Sequence, residues 1–310
     1  MQHNEAGMVA PDAPDVTLLT LAGGRLAALA WGRVDAPVWL ALHGWLDNAA
    51  SFSRLAPRLA KALDIRIVAL DFRGHGHSTT STDAKVDYAL WDYCHDVLDA
   101  MDALGLSRAA LMGHSMGAAV ACLLAAAFPD KVSQLSLIDG LGMLTTPAEK
   151  TADQLRRGLL AHRMRPSRMP SYADVESAVA ARVAGGVTPI DADTAAPLVA
   201  RNSRICDDGR VTLRTDSRLL KASLVRLTMA QVLALLADIR CPVQLVEGEQ
   251  GILGERAWAI KARAAMPQLS RCVLPGGHHL HLQRGCVDGV VEALVSAQRA
   301  RQTPADQENA

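Results

Sequence analysis

One stretch constrains the chain more than any other: Leu111-Met112-Gly113-His114-Ser115-Met116-Gly117-Ala118. It reads Gly-x-Ser-x-Gly, with a short apolar run before it and a long run of helix formers after it. A strand that turns sharply into a helix holds one side chain at its apex, clear of the backbone on both sides. Glycines at 113 and 117 make that turn possible, because a Cβ at either place would meet the neighbouring strand or helix. Ser115 at the apex is then an exposed nucleophile, and the backbone N–H of Met116 points at whatever Ser115 attacks.

The rest of the chain supplies the frame that such an elbow needs. The segments 37–42, 65–70, 134–138, 242–246 and 271–274 are short, nearly continuous apolar runs, the signature of strands buried on both faces of a parallel sheet. Helical spacing separates them, with helices expected at about 51–63, 88–104 and from Met116 to Phe128, where Pro129 ends the last. Residues 16–21 and 25–31 flank Gly23-Gly24 and read as an opening antiparallel hairpin. Strand and helix alternating in this way means an α/β fold with a mostly parallel, doubly wound sheet. The alternation breaks after Asp139-Gly140. Residues 145–234 are rich in Arg, Ala and Asp, have helical stretches and lack a strand-like apolar run, so they read as an inserted helical cap. The expected organisation is a core in two parts, 1–144 and 235–297, the cap at 145–234, and a flexible polar tail at 298–310.

Composition narrows the functional classes. Lys plus Arg and Asp plus Glu number 32 each, so no basic excess speaks for a nucleic-acid partner. Apolar runs are too short to span a membrane, and the first residues carry neither a basic nor an apolar leader region. Six cysteines are scattered without a Cys-x-x-Cys pair and read as reduced thiols of a cytoplasmic protein.

A serine nucleophile needs a base, a group to orient it, and donors for the oxyanion. The base is expected after the last strand, where Gly276-Gly277-His278-His279-Leu280-His281 stands. His278, next to the glycines, is the favoured base, with His279 and His281 read as scaffold or substrate-facing. The second oxyanion donor is expected from the loop His43-Gly44-Trp45, by the backbone N–H of Trp45. The side chains of Trp45 and His114 are the candidate substrate-binding groups. Asp71 and Arg73 are placed to pair and brace the loop carrying His75 and His77.

Together the Gly113–Gly117 elbow, Asp71-x-Arg73-Gly74-His75-Gly76-x-Ser78, His43-Gly44 and Gly277-His278 resemble the α/β-hydrolase superfamily over nearly the whole chain. His43-Gly44-Trp45-Leu46-Asp47-Asn48-Ala49 and the double histidine 278–279 are similar to the serine hydrolase-like proteins within it. The resemblance implies the fold and a serine nucleophile but little about substrate, and it implies no cofactor and no metal. The residues themselves read as a serine hydrolase acting on a small or medium carboxylic ester or thioester through an acyl-Ser115 intermediate. The chain departs from the family at the acid. The common pattern puts Asp three residues after Gly248, where Gly251 stands. Two positions can replace it: Asp139, at the end of the strand after the nucleophile, or Glu249 on the same loop. Other reactions on the same frame stay open. They are C–C bond hydrolysis, cofactor-free peroxidase-type chemistry, and a ligand-binding pseudo-hydrolase that has lost turnover.

Overall fold

The computed structural model of the protein describes residues 16–80, 87–164, 170–186 and 188–302. In chain order its first half runs β1 (Thr17–Leu21), β2 (Leu26–Trp31), β3 (Val38–Leu42), α1 (Leu55–Leu63), β4 (Arg66–Leu70), α2 (Asp92–Ala103), β5 (Ala109–His114), α3 (Met116–Ala127) and β6 (Val132–Ile138). There follow α4 (Thr151–Arg163), β7 (Ser171–Tyr172), α5 (Val175–Gly185), α6 (Ala192–Asn202), β8 (Ser203–Ile205), β9 (Val211–Leu213) and α7 (Met229–Ala237). The chain closes with β10 (Val243–Gln250), α8 (Ala257–Ala264), β11 (Leu269–Gly277) and α9 (Val287–Gln302). Residues 298–302, expected in a flexible tail, instead continue α9. The remainder of that tail and the first fifteen residues lie outside the described residues.

Eight strands form one sheet in the order β1-β2-β4-β3-β5-β6-β10-β11. β1 pairs β2 and β2 pairs β4 antiparallel, and every later pairing is parallel. This is the α/β-hydrolase fold. The alternation of side chains along the central strands divides the core into two layers. Leu40, Leu42, Val68, Leu70, Leu111, Leu135 and Leu245 face α2, α3, α7 and α8. Trp39, Ala41, Ile67, Ala69, Ala110, Met112 and Val246 face α1 and α9. With both faces covered, the central strands need no polar alternation, which is why they read as unbroken apolar runs.

Strand order reverses between β3 and β5, which pair directly through Trp39 with Ala110 and Leu42 with Gly113. The loops leaving these two strands diverge, and in open α/β sheets ligands bind at such a switch point. The turn His43–Asp47 leaves β3 there, and Ser115 leaves β5.

The inserted segment is not purely helical. Besides α4, α5 and α6 it carries a small antiparallel sheet, β7-β9-β8, from strands of two or three residues. Strands so short offer no periodicity to read. Polar bonds tie this cap to the core. Asn48 Nδ2 donates to the Leu198 carbonyl at 2.8 Å, Trp45 Nε1 to that of Leu219 at 3.0 Å, and Tyr88 Oη to Asp216 Oδ2 at 2.8 Å.

Candidate active site

The elbow is built as tightly as its glycines suggest. A Cβ on Gly117 would overlap the Leu42 carbonyl, and one on Gly113 would lie 2.6 Å from the backbone of Ala118. Ser115 sits at φ 52°, ψ −113°, a conformation that L side chains rarely adopt. Such strain persists only where its surroundings hold it, and it marks functional positions. Here β6 provides the hold: Ser115 N donates to the Ile138 carbonyl at 3.2 Å, and a Cβ on Gly140 would lie 2.7 Å from Ser115 N. Ser115 is partly exposed, and α3 begins at Met116. The first amides of a helix have no partner within it, so the Met116 N–H is available at the apex.

His278 follows β11 and is 7% exposed. Its Nδ1–H donates to Asp139 Oδ2 at 2.6 Å. That bond fixes the tautomer and leaves Nε2 with its lone pair. Asp139 is fully buried at the end of β6. Its carboxylate also accepts from Ile252 N at 2.9 Å and Gly248 N at 3.3 Å. Burial, and then the neighbouring His114, push the His278 pKa below the ordinary 6.5, against the pull of Asp139. The ring is therefore neutral at neutral pH, as a general base must be. Glu249 lies elsewhere: it is exposed, and its contact is with the side chain of Gln250.

The turn after β3 closes through Asp47 N to the Gly44 carbonyl at 3.1 Å, with Trp45 and Leu46 at its centre and Leu46 at φ 63°. This closing bond does not engage the Trp45 amide. The Trp45 ring is 41% exposed and reaches the cap. His43 is buried beneath the turn. Its Nδ1–H donates to the Gly44 carbonyl at 2.7 Å, and its Nε2 accepts from Phe72 N at 3.0 Å.

His114 does not face the open, substrate side of the site. It is fully buried, and its Nε2–H donates to the backbone carbonyl of His278 at 2.9 Å. The elbow turns Ser115 outward, and strand alternation sends the preceding side chain inward. This bond links the residue before the nucleophile to the loop that carries the base. His279 donates to Asp47 Oδ2 at 3.1 Å, and His281 shares a hydrogen bond with Ser51 Oγ at 2.9 Å, so both are internal.

Asp71 and Arg73 part company. Asp71, wholly buried, takes Arg201 of the cap as its charge partner, with Arg201 Nη2 to Oδ2 at 2.7 Å. It also accepts from the backbone N–H groups of Ala49 and His77. Arg73 pairs instead with Asp96 at 2.5 Å. The loop carrying His77 is thus braced by Asp71, but the guanidinium comes from 130 residues away. Nothing local in the sequence signals that partner.

Comparison with known proteins agrees with the fold. A family model described as the alpha/beta hydrolase fold matches residues 37–173. A serine hydrolase-like protein of Dictyostelium discoideum is 33% identical over 276 residues, covering 84% of this chain and 75% of that protein. The crystal structure of a hypothetical protein from Pseudomonas aeruginosa PAO1 superposes with a TM-score of 0.84 at 41% identity, covering 92% of this chain and all of that one. The thioesterase domain from the curacin biosynthetic pathway superposes with a TM-score of 0.75 at 26% identity, covering 92% of this chain and 99% of that one. Among the described residues no helix is long and apolar enough to cross a membrane. With its elbow, its strand order and relatives that match along most of its length, the chain belongs to the serine hydrolase-like proteins of the α/β-hydrolase fold.

Proposed function

We propose that the protein hydrolyses a small carboxylic ester or thioester through an acyl-Ser115 intermediate. The observation that carries this reading is the bond from His278 Nδ1 to a buried Asp139, set beside a serine held at a strained strand-to-helix apex. In the proposed cycle His278 Nε2 takes the Ser115 proton as Oγ attacks the acyl carbon. Asp139 holds the ring in the right tautomer and stabilises the imidazolium that forms. The Met116 and Trp45 amides receive the developing oxyanion, each worth about 2.7–4 kcal/mol of transition-state stabilisation. His278 then gives its proton to the leaving alkoxide or thiolate. In the second half it activates water, which releases the acid and frees Ser115.

The Trp45 ring, exposed beside the turn and bonded to the cap, is the proposed wall of the acyl pocket. The similarity to a thioesterase domain supports testing thioesters beside oxygen esters. The experiment is labelling with a fluorophosphonate, followed by turnover of p-nitrophenyl esters and acyl thioesters of increasing chain length. Covalent labelling that disappears in Ser115→Ala is expected. A folded protein that takes no label and turns over no ester would favour a binding role instead.

A further inference from the structure

Behind the candidate active site lies a second group of polar side chains that the proposed chemistry does not use. Asp47, His114 and His279 are 4%, 0% and 3% exposed, and one ligand atom from each lies within 4.8 Å of the others. His279 Nε2 is 3.1 Å and His114 Nδ1 3.6 Å from the same atom, Asp47 Oδ2. Ligand atoms about 2.0–2.2 Å from a tetrahedral cation stand roughly 3.4 Å apart. The two observed separations fall on either side of that edge.

The protonation pattern points the same way. His114 spends its Nε2–H on the His278 carbonyl, so the neutral ring carries a lone pair on Nδ1. That lone pair faces a carboxylate oxygen, acceptor against acceptor. His114 Nδ1 has no hydrogen-bond partner among the described residues. A metal-bound histidine commonly donates its other N–H to a carbonyl or carboxylate, which orients the ring. His114 already has that arrangement. Gly44 keeps the place open: a Cβ there would lie 3.0 Å from His114 Nδ1 and 3.1 Å from Asp47 Oδ2.

We propose that Asp47, His114 and His279 bind one zinc-class divalent cation through Oδ2, Nδ1 and Nε2. Two imidazoles and one carboxylate suit zinc and its late first-row neighbours rather than calcium or magnesium, which take oxygen donors. On binding, the His279 proton moves from Nε2 to Nδ1, freeing the Nε2 lone pair for the metal. The ligands come from the turn after β3, from the residue before Ser115 and from the residue after His278. A cation there ties together the three backbone segments that carry the proposed oxyanion donor, nucleophile and base. It touches none of the reacting atoms.

The test uses the full chain and Zn2+ itself. Protein stripped with EDTA is incubated with Zn2+, both folded and during refolding from urea because the site is closed, and is then freed of excess metal. Retained zinc is counted by plasma mass spectrometry. About one zinc per chain is expected in the wild type, and the same in His95→Gln, which alters an exposed histidine. Asp47→Asn and His279→Gln, checked for folding by circular dichroism, are expected to bind at least about tenfold more weakly. Co2+ in place of zinc is expected to give the strong visible absorption of a tetrahedral site in the wild type and to lose it in His279→Gln. No zinc retained after refolding overturns the proposal, as does undiminished retention by both variants. Ser115→Ala is expected to load zinc like the wild type, so the result is independent of whether Ser115 turns over.

Discussion

Asp139 fills the space that Gly251 leaves open. A Cβ on Gly251 would lie 2.6 Å from Asp139 Cγ and overlap its Oδ1, so the two positions cannot both carry a carboxylate. Asp139, the proposed acid, reaches His278 from the end of β6, and glycine at 251 leaves it room there. Asp139→Asn is expected to lower kcat roughly 10⁴-fold, as loss of the group that fixes the base's tautomer does. Glu249→Gln is expected to leave kcat unchanged. Asp139→Gly combined with Gly251→Asp is expected to recover part of the loss in ester hydrolysis. Asp139 has φ 39°, which glycine adopts without strain.

The acid limb of kcat/KM is expected below pH 6.5. Burial and His114 lower the His278 pKa, and only the neutral ring can accept the Ser115 proton. Activity is therefore expected to be full above 6.5 and to fall as the pH drops through the lowered value. An acid limb above 6.5, in a profile of a p-nitrophenyl ester, would contradict the reading.

Stability follows the histidines in the same direction. Burial lowers the pKa of His43, of His281 and of His75, the last to about 3. An unfolded chain binds protons at these sites from 6.5 downward while the folded one does not. Their contribution is thus fully present above 6.5 and is lost as the pH falls, for His75 across the window from 6.5 to about 3. Urea midpoints measured between pH 8 and 5 are expected to decline, and less steeply in His75→Gln than in the wild type.

Strain at the elbow predicts a trade between stability and chemistry. A non-glycine residue at the Ser115 conformation costs about 1–3 kcal/mol. Ser115→Gly removes that cost, offset by about 0.4–1 kcal/mol from the freer unfolded chain. Both Ser115→Gly and Ser115→Ala are expected to abolish turnover, and Ser115→Gly is expected to unfold at higher urea concentration than Ser115→Ala.

Cutting the tie between cap and core isolates a buried charge. Arg201→Met leaves the Asp71 carboxylate without its cation and is expected to destabilise by about 3–5 kcal/mol. Asp71 keeps its backbone donors from Ala49 and His77, which sets the loss toward the lower figure. Adding Asp71→Asn to Arg201→Met is expected to return a part of it, measurable as non-additivity in chemical unfolding.

Much of this architecture is legible from local pattern. Central strands covered on both faces show as apolar runs such as Val38–Leu42 and Arg66–Leu70, and the elbow shows through glycines whose Cβ atoms would strike the backbone. Other features depend on how distant segments meet. Asp139 and Glu249 look equivalent in sequence because only the parallel register of β6 against β10, Leu135 beside Val243 through Ile138 beside Val246, brings Gly251 over Asp139. Arg201 could not be matched to Asp71 over 130 residues when Arg73 stood two away. His114 reads as substrate-binding from its place beside Ser115, whereas the sharp turn sends adjacent side chains in opposite directions and leaves His114 buried.

On the proposed mechanism, the hydrogen bond from Trp45 to Leu219 would give the cap a say in turnover as well as in affinity. The same residue bonds the cap through its indole and is the proposed oxyanion donor through its amide. A graft that replaced residues 145–234 with a foreign cover would therefore inherit a misaligned amide along with a new specificity. In this chain, a change of cover would then call for a matched change in the turn His43–Asp47.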